Sequence, residues 1–194
     1  MRYKPTRRTL LATLVAAPPV ILLSGKSGTP LSALPLPATP ACGGSTVEQT
    51  AGPYYLPNAP LKQDLAADVR GGEPFILTGF IFDRRCSPMA GVLVEVWHAN
   101  QQGHYDNAGF VLRGHQYSDE HGRWRFNTIM TQHYAFRTAH YHFRVRRPDG
   151  SVLTTQLYLP GHPRNASDPL FDTRLLLDLR SDGTQRLGRF DFVI

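Results

Sequence analysis

The sequence predicts an all-β protein, an antiparallel β-sandwich that carries its chemistry on loops and strand ends. Three observations lead there. From Phe75 onward, short runs rich in aromatic and β-branched residues recur; clusters of Gly, Pro, Asp and Asn separate them; and no stretch keeps the apolar period of a long helix. The first strand is expected over Phe75–Phe82, with Asp83 to Pro88 as its turn. Val92–Trp97 forms the second and leads into a Gly- and Asn-containing loop from Ala99 to Gly109. Asp119-Glu120-His121-Gly122 turns the chain into Arg123-Trp124-Arg125-Phe126, where polar and aromatic residues alternate. His140–Val145 alternates again, Pro148-Asp149-Gly150 reverses the chain, and Val152–Leu159 runs back. Leu175–Leu179 fits either strand or helix, and Arg189–Ile194 is expected to close the fold.

A chain of 194 residues suits one hydrophobic core. The net charge of +6 invites a nucleic-acid reading, but its distribution argues against one. Five of the 21 basic residues (Arg2, Lys4, Arg7, Arg8 and Lys26) precede the first acid, Glu48, which leaves 16 against all 15 acids in the remainder. The basic leader continues into the apolar run Leu10–Leu23. That run is short of the ~20 residues needed to span a bilayer, and Pro18-Pro19 interrupts it. Residues 1–41 are therefore expected to be an export signal and flexible lead-in, and residues 42–194 the sandwich. Thr6-Arg7-Arg8-Thr9-Leu10-Leu11 resembles a twin-arginine signal, which implies a periplasmic or extracellular protein with no membrane attachment after signal removal. In an exported chain the two cysteines, Cys42 and Cys86, are expected to form a disulfide. Two unpaired thiols, or a lipid on Cys42 behind a poorly matched Thr39-Pro40-Ala41, are the alternatives.

The chemistry concentrates around His140-Tyr141-His142. In a strand, residues i and i+2 share a face, so both imidazoles aim at one point. Taken alone such a pair is weak, and the chain has eight His. Its company is more specific. Trp97 is followed eight residues later by Tyr105, then come Tyr134, Arg137-Thr138-Ala139-His140-Tyr141-His142-Phe143 and Thr155-Gln156-Leu157-Tyr158. In this order the motifs resemble the intradiol ring-cleavage dioxygenases. Thr50-Ala51-Gly52-Pro53-Tyr54-Tyr55 is similar to the segment that opens the catalytic domain in the protocatechuate 3,4-dioxygenase branch.

The resemblance implies four metal ligands, Tyr105, Tyr134, His140 and His142, around one Fe(3+). Two phenolates and two imidazoles suit a trivalent ion, whereas structural zinc sites favour Cys and His. It implies a catechol-type diol and O2 as partners, with ring opening between the hydroxyl-bearing carbons to a muconate-type diacid. Tyr134 would accept a phenolic proton, and Arg137 would bind the substrate and stabilise negative charge on its ring. Gln156 would sit beside Arg137, and Pro53, Tyr54 and Trp97 would wall the pocket.

The chain departs from relatives after Tyr134, where Ala135-Phe136 stand in place of the frequent Pro and Trp, and the loop to His140 is shorter than in the protocatechuate branch. Both changes touch the pocket, so the ring substituents of the substrate are not fixed by sequence. Assembly with further copies of the chain is equally open. Two other classes compete: a zinc hydrolase using His140, His142 and a third His, and a metal-free β-sandwich binding module in which both tyrosines only pack.

Overall fold

A computed structural model describes residues 44–181, 183 and 185–194. The leader and Cys42 lie outside the described residues, and with them the expected Cys42–Cys86 bridge. Cys86 itself is exposed in the turn that follows the first strand.

Among the described residues, nine strands form two stacked sheets. They are β1 (Pro74–Phe82), β2 (Leu93–His98), β3 (Arg113–Tyr117), β4 (Arg123–Ile129), β5 (His140–Arg146), β6 (Val152–Tyr158), β7 (Asp178–Ser181), β8 (Arg186–Arg189) and β9 (Phe192–Val193). One sheet has the order β4-β1-β8-β7, with β9 also paired to β1; the other has the order β3-β2-β5-β6. The expected sandwich is present, and its second sheet is antiparallel throughout. The first is mixed, because β1 runs antiparallel to β4 but parallel to β8 and β9.

The closing segment is two strands and not one. Between β8 and β9 the Asp191 carboxylate accepts the Phe80 N–H at 3.0 Å, taking the place of a backbone ladder bond. The Phe190 carbonyl presses against Gly79, where a Cβ would lie 1.7 Å from its oxygen, so only glycine fits. Leu175–Leu179 resolves into a short 3-10 turn, Thr173–Leu175, and then β7. The strand β3 was not anticipated. Arg113-Gly114-His115-Gln116-Tyr117 has no apolar alternation, because it is an edge strand held mainly by its ladder to β2.

Period-2 alternation places Phe75, Leu77, Ile81, Trp124 and Phe126 of one sheet against Val94, Val96, Tyr141, Phe143, Val145 and Leu157 of the other, all essentially solvent-free. Each such burial stabilises the fold by about 1.5–3 kcal/mol. The intervening residues of β2, β5 and β6 (Glu95, Trp97, His140, His142, Arg144 and Gln156) face away from this core. Most are buried nonetheless, because the segment before β1 crosses that outer face. The Gln49 N–H bonds to Thr154 of β6 and that of Lys62 to His115 of β3, after which the Leu65 N–H reaches Asn127 of β4 in the other sheet. This cover over one end of a sheet makes the site.

Candidate metal and active site

His140 and His142 enter the site from β5, opposite Tyr158 and Gln156 of β6, and Trp97 of β2 also pairs with His142. The His140 Nδ1 lies 2.6 Å from the Thr138 carbonyl. That nitrogen therefore carries the proton, and Nε2 presents its lone pair. The two Nε2 atoms are 3.0 Å apart. Trp97 lies flat on His142, with ring centroids 5.0 Å apart and planes 3° from parallel. On the other side Gly52, at φ +69°, brings the covering segment so close that a Cβ would sit 3.3 Å from His142 Cε1. Burial pushes His140 down to about 4, helped by the Arg137 charge, and takes His142 well below the ordinary range, helped by His140. Both imidazoles are thus held neutral, the form that ligates metals.

The tyrosines come from two loops locked together. After β2, the Asn100 side chain accepts the Gln102 and His104 N–H groups and shapes a tight loop. Gly103, at φ +81°, packs against the His133 carbonyl, leaving 2.4 Å for any Cβ. That contact sets Tyr105 beside Tyr134, with ring centroids 5.2 Å apart at 88°. Tyr134 in turn begins a tight turn with Ala135 at φ +47°, closed by the Arg137 N–H on the Tyr134 carbonyl at 2.8 Å. The rings then form a circuit. Tyr134 meets His140 at 5.7 Å, His140 meets His142 at 4.6 Å, and His142 meets Tyr105 at 6.0 Å.

The arrangement fits a metal ion. The Tyr105 hydroxyl is fully buried with no hydrogen-bond partner, and an unpaired buried hydroxyl costs about 1–3 kcal/mol. The two imidazole Nε2 atoms converge beside it, 3.0 Å apart, and the buried His142 Nδ1 has no hydrogen-bond partner. Burial, then the neighbouring Tyr134, pushes the Tyr105 phenol far above its ordinary range, so only a cation at this spot makes it a phenolate. Tyr134 is also raised by burial, but the adjacent Arg137 pulls it back.

Arg137 is 4% exposed, and its Nε donates to both oxygens of Asp168 at 3.0 Å. Its Nη2 donates to Gln156 at 2.5 Å, so the expected Arg137–Gln156 pairing is present. Gln156 is wholly buried and spends its amide on the Thr50 carbonyl. Asp168 also accepts the Thr138 and Leu170 N–H groups. Sequence reasoning missed Asp168, which sits in an irregular loop with no motif. It also missed Arg113, whose guanidinium joins the Tyr54 and Asp106 carbonyls and so braces the loops on both sides of Tyr105. Of the three expected pocket walls, Tyr54 stacks on Tyr105 at 4.5 Å and 20°. Trp97, 1% exposed, lies between Tyr55 of the covering segment and the His142 ring. Pro53 is exposed in the turn before Tyr54. Neither His98 nor any other His, Cys, Asp or Glu joins the pair as a third ligand among the described residues.

A family model described as dioxygenase matches residues 50–187. This chain belongs to the intradiol dioxygenase family. It is 32% identical over 180 residues to a 6-chlorohydroxyquinol 1,2-dioxygenase of Cupriavidus pinatubonensis, covering 78% of this chain and 65% of the relative. Against the protocatechuate 3,4-dioxygenase beta chain of Burkholderia cepacia the identity is 33% over 169 residues, covering 70% and 72%. The chain spans only 51% of a catechol 1,2-dioxygenase from Acinetobacter baylyi. Among solved structures, the dioxygenase domain of a dioxygenase carbohydrate-binding protein fusion from Streptomyces sp. SirexAA-E is 43% identical. Its TM-score is 0.75, and 78% of this chain and 98% of that one are covered.

Proposed function

We propose that this chain is an Fe(III)-dependent dioxygenase that opens a catechol-type ring between its two hydroxyl-bearing carbons. The observation that carries the proposal is the circuit of Tyr105, Tyr134, His140 and His142 around an orphaned hydroxyl and two facing imidazole nitrogens. The relatives named for hydroxyquinol, protocatechuate and catechol support the reaction class. Ferric iron, when bound, supplies the charge that makes a chelated diphenolate reactive toward O2.

The chain's own residues do the rest. His140 and His142, kept neutral and clamped by the Thr138 carbonyl and the Trp97 face, hold the ion in place. Tyr105 supplies a buried negative charge that stays put. Tyr134 is half-buried and faces Arg137, so its phenolic oxygen is the group placed to accept a proton from the incoming diol. Arg137, fixed by Asp168 and Gln156, presents a preorganised cation to the negative charge that develops on the ring. A zinc hydrolase built on the His pair needs a third His, and none joins the pair among the described residues. A binding module without metal leaves the Tyr105 hydroxyl unpaired.

We further propose that the protein is exported through its Arg7-Arg8 leader. A leader–reporter fusion that stays cytoplasmic would remove this part alone. The catalytic proposal is tested by anaerobic addition of a panel of catechols to the iron-loaded protein, followed by O2 and product analysis. A visible tyrosinate band that each substrate perturbs, and one diacid per O2, are expected. A folded protein that takes up iron but shows no such band sinks the reading.

A further inference from the structure

Outside the site, the same sheet face carries a second cavity of about 430 Å³. Its residues follow from register. The rung Arg113–Trp97–His142 belongs to the site; the next is His115–Glu95–Arg144, and the one after is Tyr117–Leu93–Arg146. Tyr55 of the covering segment closes the cavity at the site end, donating to Glu95 at 3.3 Å and packing on Trp97 at 4.9 Å.

Three features call for a ligand. Glu95 is 5% exposed, yet its ion pair with Arg144 is loose at 3.9 Å, and burial raises its carboxyl above the ordinary range. Arg146, at the rim, has no hydrogen-bond or ion-pair partner among the described residues. Tyr117, an aromatic ring 54% exposed, stands beside Leu93 on its rung and offers an apolar wall to the cavity. Two guanidiniums against one carboxylate leave one positive charge for an anion. At the floor the lining reverses. Glu95 accepts, and the His115 Nδ1 gives its proton to the Ala59 carbonyl at 2.7 Å, so its Nε2 accepts as well.

We propose that this cavity binds a phenolic carboxylic acid. The hydroxyl donates to Glu95 or His115 at the floor, and the carboxylate takes the fork of Arg146 with Arg144 beside it. The ring packs against Tyr55 and Tyr117. The cavity falls in the size range of small-molecule sites.

The probe is 4-hydroxybenzoate, titrated calorimetrically into the iron-loaded protein. With a single hydroxyl it cannot chelate iron as a diol, and Arg146→Ala separates binding in the cavity from binding at the four-ring site. Saturable binding is expected, lost by about tenfold or more in Arg146→Ala and by a similar factor for benzoate or phenol alone. Arg146→Ala, an exposed change, should fold normally and turn over catechol as before. The wild-type visible band should not move as the cavity site fills. No saturable binding below roughly 10 mM overturns the proposal. So does equal binding by wild type and Arg146→Ala, which would put the acid on the four-ring site.

Discussion

Gly103→Ala separates the packing of two loops from ordinary backbone strain. An alanine at φ +81° is strained by about 1 kcal/mol, and its Cβ would lie 2.4 Å from the His133 carbonyl oxygen. That oxygen is backbone, so no rotamer relieves the clash. To regain a normal contact of 3.4 Å the loop must lift by about 1 Å. Tyr105 follows two residues later, and Tyr134 follows the struck carbonyl directly, so the two rings move apart. A displacement of about 1 Å at reacting groups costs on the order of 100-fold in rate, and the strain and clash together about 2–4 kcal/mol of stability. Gly150→Ala is the control, since φ is +91° there but nothing lies within 4 Å of the new Cβ. The assay compares urea midpoint, iron per chain, tyrosinate absorption and kcat across the three proteins. Gly150→Ala should lose only the strain, and Gly103→Ala should also lose iron and shift its band. If both variants keep wild-type iron, band and kcat, Gly103 does not set the Tyr105–Tyr134 geometry.

Three further expectations follow from the same structure. His98 is buried between the Ala99 carbonyl and the Thr128 hydroxyl, and burial pushes it down to about 4. Because the unfolded chain protonates first, stability is full above pH ~6.5, falls as pH drops toward 4 and levels below, with about 2 kcal/mol lost by pH 5. Urea midpoints at pH 7 and 5 should show this difference shrinking in His98→Gln; an unchanged difference assigns it elsewhere. Asp168→Ala strands the buried Arg137 charge and should destabilise the fold by about 3–5 kcal/mol, with kcat falling more than KM rises. A loss under 1 kcal/mol, roughly that of a surface pair, would contradict it. Gly79→Ala meets the Phe190 carbonyl and should unpair β8 or β9 from β1, seen as fast hydrogen exchange at Phe190 and Ile194. Protection equal to wild type would show that the Phe190-Asp191 break absorbs the methyl group.

Much of the fold was legible because its signals are local. β1, β2, β5 and β6 carry dense aromatic and β-branched runs, and the structure places them within one or two residues of expectation. The edge strand β3 was not legible, since Arg113 to Tyr117 owes its pairing to β2 and not to its own pattern. The break at Phe190-Asp191 was hidden for a related reason: it depends on Gly79, more than a hundred residues away.

The sequence by itself determined that His140 and His142 share a face, because strand alternation is a property of adjacent residues. Ordered motifs also marked Tyr105, Tyr134, Arg137 and Gln156 as residues to watch. Only tertiary structure decided that four rings from two loops and a strand form one circuit. It also decided that Asp168 and Arg113 brace that circuit and that Trp97 stands behind it. Those relations arise where the loop after β2 meets the His133 carbonyl and the covering segment seals an outer sheet face. Contacts between parts of the chain so far apart in sequence leave no periodic trace in it.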